Sequence, residues 1–85
     1  MCIRDRAYPN PFKNNLNIKI EIKSGHTLLK IVDASGRDIK EIVTKKLKYG
    51  IHNFRYDGTH LKNGLYFILL ENEDRRSGVS IIKRS

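Results

Sequence analysis

Leu16, Ile18, Ile20 and Ile22 alternate with Asn17, Lys19, Glu21 and Lys23. A period of two puts the four aliphatic side chains on one face of a strand and the polar ones in water. This pattern predicts a sheet covered on one face only. The segment from Thr27 to Val32 reads as a second strand with Leu29 and Ile31 inward, and Ile39 to Val43 as a third. Phe54 and Tyr56 alternate with Asn53 and Arg55, so both rings share a face, in phase with His52. Leu65 to Leu70 is apolar throughout, and Val79 to Lys83 forms a last short strand.

Between these segments lie turn residues. Ser24-Gly25, Asp33 to Arg37 and Asp57-Gly58 break the chain, Gly50 ends a polar stretch from Lys45 to Tyr49, and Asn72 to Gly78 reads as a charged hairpin loop. Turns recurring about every ten residues between short strands predict an all-β antiparallel sandwich of about seven strands. Ile39, Ile42, Val43 and Leu47 have roughly helical spacing, but the β-branched content and the short neighbouring segments favour strand.

Three details refine this picture. Tyr8-Pro9-Asn10-Pro11-Phe12 forbids a helix and predicts an extended or turning lead-in, with Tyr8 and Phe12 packing at a core edge. Leu61, alone among polar residues, plugs the core from a loop. With Tyr66, Ile68 and Leu70 inward, Leu65, Phe67 and Leu69 form an apolar stripe on the outer face, suited to a neighbouring domain or a receptor.

The chain has 85 residues, enough for one small domain with a marginal core. No apolar run approaches the roughly 18 residues needed to cross a bilayer. Residues 1–6 have neither periodicity nor turn chemistry and no signal-peptide h-region. They resemble translated adapter sequence and are set aside as an extraneous leader, so the domain spans residues 7–85. The single cysteine, Cys2, falls in that leader. The formal charge is +8; leaving out Arg4, Asp5 and Arg6 removes a net +1 and leaves +7. That balance fits either a lysine-rich soluble surface or an anionic partner, with one local cluster at Lys45, Lys46 and Lys48.

Candidate chemistry is sparse. His26, His52 and His60 have no carboxylate or cysteine at metal-ligand spacing, and HExxH and CxxC are absent. Ser35 and Ser77 sit in glycine turns without the strand-to-helix context of a nucleophile elbow. Asp33 and Asp57 precede turns, where a carboxylate caps its own backbone. No catalytic residue, metal or cofactor is expected. Phe54 and Tyr56 are explained as core rather than as stacking platforms, so nucleic acid is not an expected partner and a basic nucleic-acid-binding domain is only a distant alternative.

In chain order, Tyr8-Pro9-Asn10-Pro11-Phe12, Asp33-x-x-Gly36-Arg37, Gly50-x-His52-x-Phe54-x-Tyr56-Asp57-Gly58, Leu61 and Gly64-x-Tyr66 span the domain. The chain thereby resembles the type A C-terminal sorting domain of the type IX (Por) secretion system of Bacteroidetes. The resemblance covers residues 8–85. It implies an immunoglobulin-like or fibronectin III-like sandwich that works as a non-catalytic address label on a larger cargo protein. It also implies recognition through the terminal strand, Val79, Ser80, Ile81, Ile82, Lys83 and Arg84. The implied partners are the outer-membrane machinery, a sortase-like component and the preceding cargo domain, with anionic lipopolysaccharide close by. The implied route runs through the periplasm to the cell surface, with the domain removed on attachment. Tyr56 stands where such domains often have tryptophan, and Ser80 where a basic residue is often found. Immunoglobulin-like modules of the flagellar hook-capping type share much of the same pattern, and they imply a structural assembly role instead.

Overall fold

The computed structural model describes residues 5–23, 25–73 and 76–84. It contains seven strands: β1 (Arg6–Tyr8), β2 (Asn15–Ile22), β3 (Gly25–Asp33), β4 (Asp38–Leu47), β5 (Gly50–Asp57), β6 (Gly64–Asn72) and β7 (Arg76–Lys83). They form two antiparallel sheets, of order β1-β2-β5 and β4-β3-β6-β7. Neighbours in sequence pair within a sheet at β1-β2, β3-β4 and β6-β7, while the other connections cross between sheets. This is an immunoglobulin-like sandwich, with each sheet burying one face of its pleat.

The period-two expectation holds along β2, where Leu16, Ile18, Ile20 and Ile22 are all at most 2% exposed. Tyr56 from β5 completes that wall. Leu29, Ile31, Leu47, Tyr66, Ile68, Leu70 and Ile81 face it from the other sheet. Each such side chain stabilises the fold by about 1.5–3 kcal/mol relative to remaining in water.

Several boundaries differ from the sequence expectation. The strand placed at Ile39–Val43 runs on through the polar stretch as the ten-residue β4. β4 is an edge strand, so its lysines reach water from either face, and its pairing with β3 shifts register twice, between Leu29 and Lys30 and between Ile31 and Val32. The charged segment Asn72–Gly78 is not a long loop: β6 reaches Asn72 and β7 begins at Arg76, with Glu71 opposite Arg76. Asn72 satisfies its polar side chain by bonding the buried Thr27 hydroxyl at 2.9 Å, so polarity did not mark the strand end. Ser24 lies outside the described residues. Arg6, assigned from sequence to the leader, pairs with Lys19 as the first residue of β1, and Asp5 accepts from the Ser77 hydroxyl at 2.7 Å.

Candidate recognition site at the terminal strand

In β7, Ile81 and Lys83 point into the sandwich while Ser80 and Ile82 point out, with Arg84 exposed just beyond the strand. β6 pairs with one edge of β7 throughout its length. The other edge meets the proline-rich lead-in. The Phe12 amide donates to the Ile82 carbonyl at 2.9 Å, and the Arg84 amide donates to the Phe12 carbonyl at 2.9 Å. One step earlier along β7, the Asn10 side chain accepts from the Ile82 amide at 2.9 Å and donates to the Ser80 carbonyl at 3.3 Å.

The residue types explain this arrangement. Pro9 and Pro11 have no amide hydrogen, so this segment cannot supply a regular ladder. Asn10 carries a donor and an acceptor on one side chain and stands in for the missing backbone groups. Phe12 was expected at a core edge; its side chain is fully buried at 0% exposure, whereas Tyr8 is left 47% exposed and outside the core.

Lys83 is 3% exposed. Its Nζ donates to the Leu61 carbonyl at 3.1 Å and to the Thr59 carbonyl at 3.4 Å, so a buried cation ties the last strand to the β5–β6 loop. That loop is itself ordered by its sequence. Asp57 Oδ1 accepts from the Thr59 amide at 3.0 Å and from the Thr59 hydroxyl, and the Gly58 amide donates to the Asn14 carbonyl at 2.8 Å. Gly58 is required by space: a Cβ there would lie 2.7 Å from Cε2 of the buried Phe12 ring. Leu61 packs half-buried against the core, as its isolation among polar residues implied. Tyr66 Oη donates to the Lys62 carbonyl at 2.6 Å, the tyrosine corner of immunoglobulin-like sandwiches.

Hydrogen bonding sets the electrostatics. The Thr59 hydroxyl and amide hold the Asp57 carboxyl below the usual carboxylate range, with smaller help from His60 and Lys83. Asp33 is lowered by the Ser35 hydroxyl and then by the Arg37 amide. It anchors the β3–β4 turn, where Gly36 adopts φ +92° and Arg37 pairs with the Asp33 carboxylate at 3.7 Å. Burial, reinforced by the Asp57 charge, raises the Tyr56 phenol, whose oxygen lies 3.2 Å from His60 Nε2.

Most of the motif residues therefore gather at one end of the sandwich. Phe12, Tyr56, Leu61 and Tyr66 share one core cluster, Phe12 bridges to Lys83, Gly58 lies against the Phe12 ring, and Asp33 pairs with Tyr66 in the sheet. Gly50, by contrast, begins β5 at the far end, and Phe54 packs against the mid-core from β5. On the outer face of β6, Leu65 is 43% exposed, while Phe67 and Leu69 are half-buried. Ile82 faces Leu65 across the strands, and Leu69 lies against the bare backbone of Gly78. Asn10 and Lys83 were the parts least visible in sequence. Their signals were an asparagine locked between two prolines and a lysine in phase with the inward Ile81.

Elsewhere the polar groups are engaged in structure. His52 Nε2 lies 2.8 Å from the Lys48 carbonyl. A cavity of about 380 Å³ is lined by His26, Leu28, Thr44, Glu71, Asn72 and Glu73. Glu71 there pairs with Arg76, and Glu73 accepts from the His26 amide. Among the described residues, no three His, Cys, Asp or Glu side chains gather as metal ligands.

Two packed sheets, a tyrosine corner and a last strand bonded on both edges from Ser80 to Arg84 define a small immunoglobulin-like recognition module. The chain belongs to the secretion system C-terminal sorting domain family, whose model matches residues 6–84. It is thus a C-terminal sorting domain of type IX secretion, carried by a cargo chain that this machinery recognises and exports to the cell surface or beyond. No curated protein matches the chain in sequence.

Proposed function

We propose that the outer-membrane machinery reads the terminal strand, Val79 to Arg84, in its folded form, and that the domain itself catalyses nothing. The observation that carries this reading is the closure of the outer edge of β7 by Asn10 and Phe12. A strand bonded along both edges offers a receptor a fixed surface, Ser80, Ile82 and Arg84, rather than a loose tail. The Leu65, Phe67 and Leu69 stripe extends that surface, because Leu65 adjoins Ile82. In this reading the cargo passes through the periplasm, and a sortase-like component then removes the domain and joins the cargo to anionic lipopolysaccharide. In this reading residues 7–85 hold the sorting information, while Asp5 and Arg6 brace the sandwich through Ser77 and β2.

The test fuses the chain to a periplasmic reporter in a bacterium with a working type IX system. The reporter is expected at the surface; retention in the periplasm with the domain intact refutes the reading. A Ser80→Glu/Ile82→Glu/Arg84→Glu variant alters only exposed positions and is expected to fold yet lose export. Unchanged export of that variant removes the terminal strand from the mechanism.

A further inference from the structure

Tyr49 and Ile51 are the most exposed large hydrophobic side chains among the described residues, at 74% and 59%. Lys45, Lys46 and Lys48 flank them, all exposed. This corner lies at the opposite end of β5 from Gly58, roughly 23 Å away at about 3.3 Å per residue of strand. The clasp around the terminal strand makes no use of it.

The corner is held in shape. Leu47 is buried beneath it, the His52 ring bonds the Lys48 carbonyl at 2.8 Å, and Gly50 turns the chain at φ +137°. Among the described residues, none of the three lysines has a carboxylate at ion-pair distance. Glu41 is engaged by Thr44, and Glu21 stands across the strand from Ile51 at the rim.

Cations alone would serve any polyanion. An aromatic and an aliphatic side chain at the tip of a lysine cluster match a surface that is anionic outside and apolar just beneath. We propose that the Lys45–Ile51 corner is a peripheral docking site for an anionic lipid surface. Tyr49 and Ile51 enter the headgroup layer, and Lys45, Lys46 and Lys48 lie against its phosphates. This goes beyond the sorting reading and does not depend on it.

The test uses the full chain with vesicles of phosphatidylcholine containing phosphatidylglycerol, and with phosphatidylcholine alone. The chain has no tryptophan, so a Tyr49→Trp variant carries a single reporter. Expected are cosedimentation with the anionic vesicles only and a blue shift in the emission of that variant. Replacing all three lysines by glutamine should weaken partitioning by about 100-fold, at about fivefold per cation. Tyr49→Ser/Ile51→Ser should weaken it by at least about tenfold. All positions are exposed, and circular dichroism verifies that each variant is folded. The proposal is overturned if the folded chain ignores anionic vesicles or if the emission does not shift. It is equally overturned if the Tyr49→Ser/Ile51→Ser variant binds as tightly as the parent, which would mark a polyanion site instead.

Discussion

Asp33 and Asp57 each use one carboxylate oxygen to organise the turn that follows, and both are held below the ordinary carboxylate range. In the unfolded chain they return to about pH 4. Between the folded and unfolded values the unfolded state binds more protons, so stability rises with pH. The contribution is fully present above about pH 4 and is lost as pH falls through the folded values. An Asp33→Asn/Asp57→Asn variant keeps the acceptor oxygens but not the charge. Urea denaturation at stepped pH is expected to show a flatter acid limb for it; an unaltered slope would place the acid sensitivity in other carboxylates. That both residues cap turns was legible in sequence, because an aspartate before a glycine turn acts on its own neighbours. The buried environment of Lys83 was not, since its acceptors lie 22 and 24 residues away.

At the scale of elements, the terminal strand joins the sheet through β6 on one side and is closed by a non-strand segment on the other. Edge strands expose unpaired amides and carbonyls that invite foreign pairing. Asn10 removes that hazard at Ser80 and Ile82 with its side chain alone. Replacing it by alanine should cost about 1 kcal/mol. More tellingly, the Ile82 amide should lose protection in native-state hydrogen exchange while the β6-bonded amides of β7 keep theirs. Equal protection in parent and variant would mean that Asn10 does not hold the strand. β2 shows the opposite case. Its alternation alone marked the strand and its inward face, because one buried wall demands period two. For β4 the same rule gave an early ending, because an edge strand tolerates lysines on either face.

Across the whole molecule, the last strand belongs to the core as well as to the surface. Ile81 is 0% exposed and Lys83 3%, and Phe12 bonds both Ile82 and Arg84. Deleting residues 80–85 therefore does more than erase a signal. It removes Ile81 from the core at about 2–5 kcal/mol and opens the packing around Phe12. For a small domain whose total stability is of order 5–15 kcal/mol, a broad or lost cooperative unfolding transition is expected. A sharp parental melt would show that the strand is dispensable for folding. Substitutions at Ser80, Ile82 and Arg84 separate recognition from folding for this reason.

By itself the sequence determined the strand succession from β2 to β7, the inward faces of β2, β3, β5 and β6, the turn-capping aspartates and the class of sandwich, but not β1, which begins in the segment set aside as a leader. These follow from local periodicity and turn chemistry, which are written within a few residues. Only the tertiary structure decided that the proline-rich lead-in closes the outer edge of β7. It alone brought Lys83 to the carbonyls of a distant loop and set Gly58 against Phe12. It also raised Tyr49 and Ile51 on a lysine-flanked corner away from that clasp. Edge closure and burial of a charge depend on partners far apart in the chain, and no local pattern specifies where those partners meet.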